Sequence, residues 1–196
     1  MKSAVLHLAV GVLAVQSAAL LWAQSGSADT TARVAVTFTG GHDTDPRDHG
    51  RPVVLIAAAL NVPSEVFREA FSHVTPAAAG REPEPGQVDR NKQALLGALG
   101  PYGITNERLD AVSDYYRYNG GSGRLWRNVP ATAYATVRGS VVTGFTITNP
   151  GAGYSSPPKV SIPGMADLNV VATLAFGTDV SKNGSIKELA VAPAAH

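Results

Sequence analysis

The sequence predicts an α+β protein: an N-terminal four-helix module, arranged as a duplicated helical hairpin and preceded by one strand, followed by a small antiparallel β module. Three observations predict it. Residues 24–129 hold 11 Lys/Arg and 12 Asp/Glu, whereas residues 130–196 hold 4 and 3 and are rich in Val, Thr, Gly and Pro. The first stretch carries apolar residues at helical spacing, and the second carries them in alternation. Helix-start and helix-stop residues recur twice at matching places in the first stretch. The expected division is therefore 1–23 as a signal peptide, 24–129 as a mainly helical module and 130–196 as a β-repeat module.

Met1-Lys2 gives a short positive start, and Ala4 to Trp22 is apolar apart from His7, Gln16 and Ser17. This pattern reads as a secretory signal peptide cut after Ala23, which places the mature chain, Gln24 to His196, in the periplasm or outside the cell with no membrane attachment. The alternative is an uncleaved anchor, because the 19 apolar-rich residues are long enough to span a bilayer. With no cysteine in 196 residues, lipid attachment at cysteine, disulfide staples and thiol nucleophiles are excluded. A net charge of +1 gives no basic field for nucleic acid.

Arg33 to Thr39 alternates as a strand and stops at Gly40-Gly41. Pro52 suits a first helical position, Val53 to Leu60 is apolar all round, and Asn61 caps that helix. Pro63-Ser64-Glu65 opens a second helix with Val66, Phe67, Ala70, Phe71 and Val74 on one face, and Thr75-Pro76 ends it. After a loop from Pro76 to Gln87, Asp89 caps a third helix running through Leu95, Leu96 and Leu99 to Gly100-Pro101. Thr105 caps a fourth, with Glu107 in its first turn and Leu109, Val112 and Tyr116 inward. Ile56 to Ser64 also resembles the start of a bacterial helix-turn-helix. The following segment, however, carries Glu65 and Glu69 beside Arg68 where a DNA reader needs cations.

In the last third, Ala133–Val137 and Val141–Thr148 alternate, Asn149 to Gly153 breaks the chain, and Lys159–Ile162 resumes it. Val170–Ala175 and Ser185–Val191 form a second pass around Asn183-Gly184, which reads as a tight hairpin turn. Thr143 to Ile162 (TGFTITNPGAGYSSPPKVSI) resembles the glycine-tyrosine repeat G-x-G-Y-x-x-x-P-x-V-x-I of bacterial surface, secreted and phage fibre-like proteins. The resemblance implies a structural and display element without catalytic residues. The second pass lacks Gly-x-Gly-Tyr, which argues against a long self-stacking array. The helical part is similar to helical modules of uncharacterised secreted bacterial proteins, a likeness that implies no function.

Two clusters have the residue types for chemistry. Gly40 to Gly50 (GGHDTDPRDHG) places Asp43, Asp45 and Asp48 with His42 and His49, hard oxygens for calcium or imidazole and carboxylate ligands for zinc. It is not an EF-hand, since the twelfth position from Asp43 is Val54. For catalysis, His42 and His49 would carry protons and Asp43 or Asp45 would orient them. The bland reading is a solvated loop in which Asp48 or His49 supports the Pro52 helix and Arg47 pairs with a neighbouring carboxylate. The second cluster, Tyr115, Arg117, Tyr118 and Trp126, offers aromatic and guanidinium faces for a cell-surface glycan or protein. Its bland reading is that Tyr116 and Trp126 join the two modules across a glycine hinge. Glu107, Asp110 and Asp114 read as a solvated helix face, and neither Gly-x-Ser-x-Gly nor His-Glu-x-x-His occurs. The sequence therefore points to an exported binding or scaffolding protein of the cell surface or periplasm. Its alternative is a metal-assisted or His-dependent hydrolase centred on His42 to His49.

Overall fold

The computed structural model describes residues 30–75, 82–117 and 123–193; the expected signal segment, Tyr118 and part of the glycine hinge lie outside them. Four helices pack beside a six-stranded antiparallel sheet. The strands are β1 (Thr31–Thr39), β2 (Thr132–Arg138), β3 (Val141–Asn149), β4 (Lys159–Ser161), β5 (Val170–Ala175) and β6 (Ser185–Val191). Their spatial order is β3-β2-β1-β4-β5-β6.

The chain order of one strand, four helices and then the remaining strands is as expected, but the spatial order corrects the expectation of a small separate β module. β1 lies inside the sheet, pairing with β2 through Thr31–Val36 and with β4 through Thr37–Thr39. Nothing local in Arg33–Thr39 names partners about 100 residues away, because a strand's alternation fixes which face is buried and not which edge it joins. The sheet also curls toward closure. Its edge strands β3 and β6 approach each other, and the Ile186 N–H donates to the Pro150 carbonyl at 2.8 Å. Register shifts in β2–β3 and β5–β6 supply added twist for that curl.

The helices are α1 (Val53–Leu60), α2 (Ser64–Ser72), α3 (Gln87–Leu99) and α4 (Asn106–Tyr115). α1 is short and apolar, so packing rather than propensity holds it; Leu55, Ile56, Ala57, Ala59 and Leu60 are all buried. Asn61 ends it in the left-handed region at φ 59°, and Thr105 caps α4 by accepting from the Arg108 N–H. Asp89 does not cap α3: the helix starts two residues earlier, after Gly86 at φ 72°, and Asp89 falls in its first turn.

Asn183-Gly184 differs from the expected tight turn. Residues 176–184 separate β5 from β6, and Asn183 is buried with 1% of its surface exposed. Its Nδ2 donates to the Leu55 carbonyl at 2.8 Å and to the Tyr116 hydroxyl at 3.0 Å, while its Oδ1 accepts from the Gly177 N–H. Arg108 bridges the same two regions through the carbonyls of Ala59 and Thr178. Helices and sheet are thus joined by satisfied polar contacts, buried at Asn183 and more open at Arg108.

Candidate functional site

The 40–50 loop leaves β1 through two left-handed glycines and tightens into a 3₁₀ turn at Pro46–Asp48. Pro46 enters that turn with its φ already set, and the Asp45 carboxylate accepts from the Arg47 N–H at its start. Asp43, Asp45 and Asp48 line one small cavity of about 180 Å³ with Arg51 and Arg68, but the loop's polar side chains take different partners.

His42 turns inward. Its ring stacks on Tyr154 with centroids 5.4 Å apart and meets Trp126 edge-on at 6.0 Å. Its Nε2 is buried and has no hydrogen-bond partner. Burial pulls its pKa below 6.5, against the opposing influence of Gly40 and Asp43. Asp43 is pinned to the glycine-tyrosine turn: its N–H donates to Ser156 Oγ at 3.1 Å, and its carbonyl accepts from Ser155 Oγ at 2.7 Å.

Asp45 and Asp48 are held by arginines. Arg47 reaches Asp45 at 2.7 Å, and its hydrogen bonds bring the Asp45 carboxyl down to about 2. Asp48, only 5% exposed, accepts from both Nε and Nη2 of Arg68 at 2.6 and 2.9 Å. Arg68 also meets Glu65, so this fork ties the loop to α2. Among the described residues no group of three His, Asp or Glu side chains is placed to hold a metal ion.

His49 lies on the other side of the loop, at φ 48°, and lines a cleft of about 510 Å³ between the loop and α2. A smaller compartment of about 230 Å³ continues it toward α4 and shares His49, Arg51 and Phe71. Arg51 is central to both. Its guanidinium sits 3.8 Å over the Phe71 ring, and its hydrogen bond is a long one of 3.5 Å to the Asp48 carbonyl. No described carboxylate lies within ion-pair distance of it, in contrast to Arg47 and Arg68. Desolvation lowers its pKa, against the opposing pull of the Asp48 carboxylate.

The aromatic cluster is divided. Trp126 is 3% exposed, and its Nε1 donates to the Gly153 carbonyl at 2.8 Å. Tyr116, 1% exposed, donates to the Val180 carbonyl, and burial pushes its hydroxyl up to about 12. Tyr115 stands edge-on to Tyr116 with Arg127 5.3 Å from its ring, and Arg117 pairs with Asp114 at the edge of the small compartment. Arg51, Ile56, Phe67, Arg68 and Phe71 are among the cleft residues that sequence reading did not assign to a site. Phe71 looked like core because it shares a helical face with Phe67, and the only signal for Arg51 was a cation beside Pro52.

No known protein family, curated protein or solved structure matches this chain.

Proposed function

We propose that the chain is an exported binding module of the cell surface or periplasm, taking its ligand in the cleft between the 42–51 loop and helices α1, α2 and α4. The observation that carries this reading is Arg51, a partly buried guanidinium stacked on an aromatic ring, facing open volume and lacking a carboxylate partner. Most of its five donors remain for a ligand, and desolvation strengthens each bond they make. A cell-surface protein or glycan is the partner class.

Export is tested by expressing the full chain in bacteria and weighing it in each cell fraction. A species shortened by the 23 N-terminal residues outside the cytoplasm is expected, and full-length cytoplasmic protein overturns export. Binding is tested by amide NMR titration with peptides and cell-wall glycan fragments. Shifts clustered at His49, Arg51, Phe71 and Arg117 are expected; shifts confined to the sheet overturn the cleft as the binding surface.

A further inference from the structure

The two compartments of the cleft differ in charge. In the larger one, Arg47 and Arg68 are neutralised by Asp45, Asp48 and Glu65, and Glu69 adds another acid to the wall. The smaller one has a floor of Ile56, Phe67 and Phe71 and a rim of His49, Arg51 and Arg117, and no carboxylate lines it. Arg117 already shares its charge with Asp114; Arg51 has no such partner.

Asp48 is near enough to act on Arg51 through space but is itself taken by Arg68, so a guanidinium partly withdrawn from water with no carboxylate in contact is stabilised by an incoming anion. The planar fork of arginine suits the two oxygens of a carboxylate. The floor is aromatic and aliphatic, so the body carrying that carboxylate is apolar. Size narrows the class further. About 230 Å³ is below the roughly 300–1,000 Å³ of pockets that enclose a drug-sized ligand, so the compartment suits one compact group.

We infer that the small compartment binds a carboxylate carried on a compact apolar or aromatic group, its oxygens on Arg51 and its body against Ile56, Phe67 and Phe71. Both an arylalkanoic acid and the free C-terminus of a peptide ending in an apolar residue supply that chemistry. The inference rests on the cleft being the binding surface.

Titration calorimetry on the full chain compares hydrocinnamate with its neutral amide, and a short peptide ending in Phe with its amidated form. The carboxylates are expected to bind at least about tenfold more tightly than the amides. Arg51→Gln should erase that preference, and Arg117→Gln, at an already paired residue, should reduce it less. A preference shown only by hydrocinnamate identifies a small acid; one shown more strongly by the peptide identifies a chain terminus. Equal affinity for acid and amide overturns the inference while leaving the cleft as a binding surface. A preference that survives Arg51→Gln overturns the assignment to Arg51. If neither acid nor amide binds at millimolar concentration the inference fails, and shifts by larger ligands in the NMR titration still decide the cleft reading separately. The acid-amide comparison on the unaltered protein needs no variant to fold.

Discussion

Two glycine-rich loops meet around His42: residues 40–51 before α1 and residues 149–158 before β4. Both turn on left-handed glycines, but only the first carries carboxylates, imidazoles and guanidinium groups, and their roles are opposite. In the second loop the turn closes on itself and on the core. The Tyr154 hydroxyl accepts from the Ala131 N–H, Gly153 N–H donates to the Asn183 carbonyl, and Gly151 N–H is taken by Asn149. The resemblance to the glycine-tyrosine repeat therefore coincides with a spot where backbone geometry consumes the polar groups. The first loop ends differently, because Asp45 and Asp48 are taken by Arg47 and Arg68, and Asp43 by Ser156, while Arg51 keeps donors facing a cleft. A dense polar sequence marks chemistry only where something is left over after the fold has paired it.

Gly153 and Gly40 give the sharpest contrast between the loops, whereas Gly41, whose added Cβ would meet Tyr154 at 2.6 Å, belongs with the crowded positions. Gly153 lies at φ 84°, and an added Cβ would sit 2.6 Å from the Arg127 carbonyl and 2.9 Å from Asn128 Cα, both backbone. Gly153→Ala should cost about 3 kcal/mol or more. Gly40 has a similar φ of 68° but nothing within 4 Å of the added carbon, so Gly40→Ala should cost only the backbone strain, about 1–2 kcal/mol. Equal losses in chemical denaturation would break the comparison.

At the first loop two arginines, Arg68 of α2 and Arg51 of the loop itself, should behave unequally. Arg68→Met leaves the Asp48 carboxylate buried without its partner and should destabilise by about 3 kcal/mol. Arg51→Gln loses a stacking contact worth about 0.5–1 kcal/mol, so its melting temperature should hardly move while the preference for carboxylate over amide disappears. A large stability loss in Arg51→Gln would make that residue structural and remove the contrast.

The smallest effect is that of pH on the contact between the loops. Because His42 has its pKa lowered by burial, the unfolded chain takes up a proton at a higher pH than the folded one. Stability should therefore be constant above the ordinary value of 6.5 and fall as pH drops below it toward the folded value. His42→Phe keeps the ring contacts with Tyr154 and Trp126 and should flatten that slope in urea melts at several pH values. An unchanged slope would assign the pH dependence to another group.

Much of the local structure was legible in the residues. The apolar run of α1, the left-handed Asn61, the Thr105 cap and the positive φ of Gly151 and Gly153 all follow from side-chain size, hydrogen-bonding reach and backbone sterics. The candidate site was legible only as a neighbourhood. His42, Asp43, Asp45, Asp48 and His49 read as one cluster, yet they go to the aromatic core, the serine turn, two arginines and the cleft. Side chains adjacent in an irregular loop have no fixed common face, so composition could not show that divergence.

By itself the sequence determined which segments form helices and strands and most of the places where the chain turns, Asn183-Gly184 excepted, because those depend on interactions spanning a few residues. Tertiary structure alone decided that β1 sits between β2 and β4, that Asn183 locks the sheet to Leu55 and Tyr116, and that Arg51 lies over Phe71 without a carboxylate. These pairings are chosen by burial and hydrogen-bond satisfaction across the whole chain, and local periodicity carries no record of them.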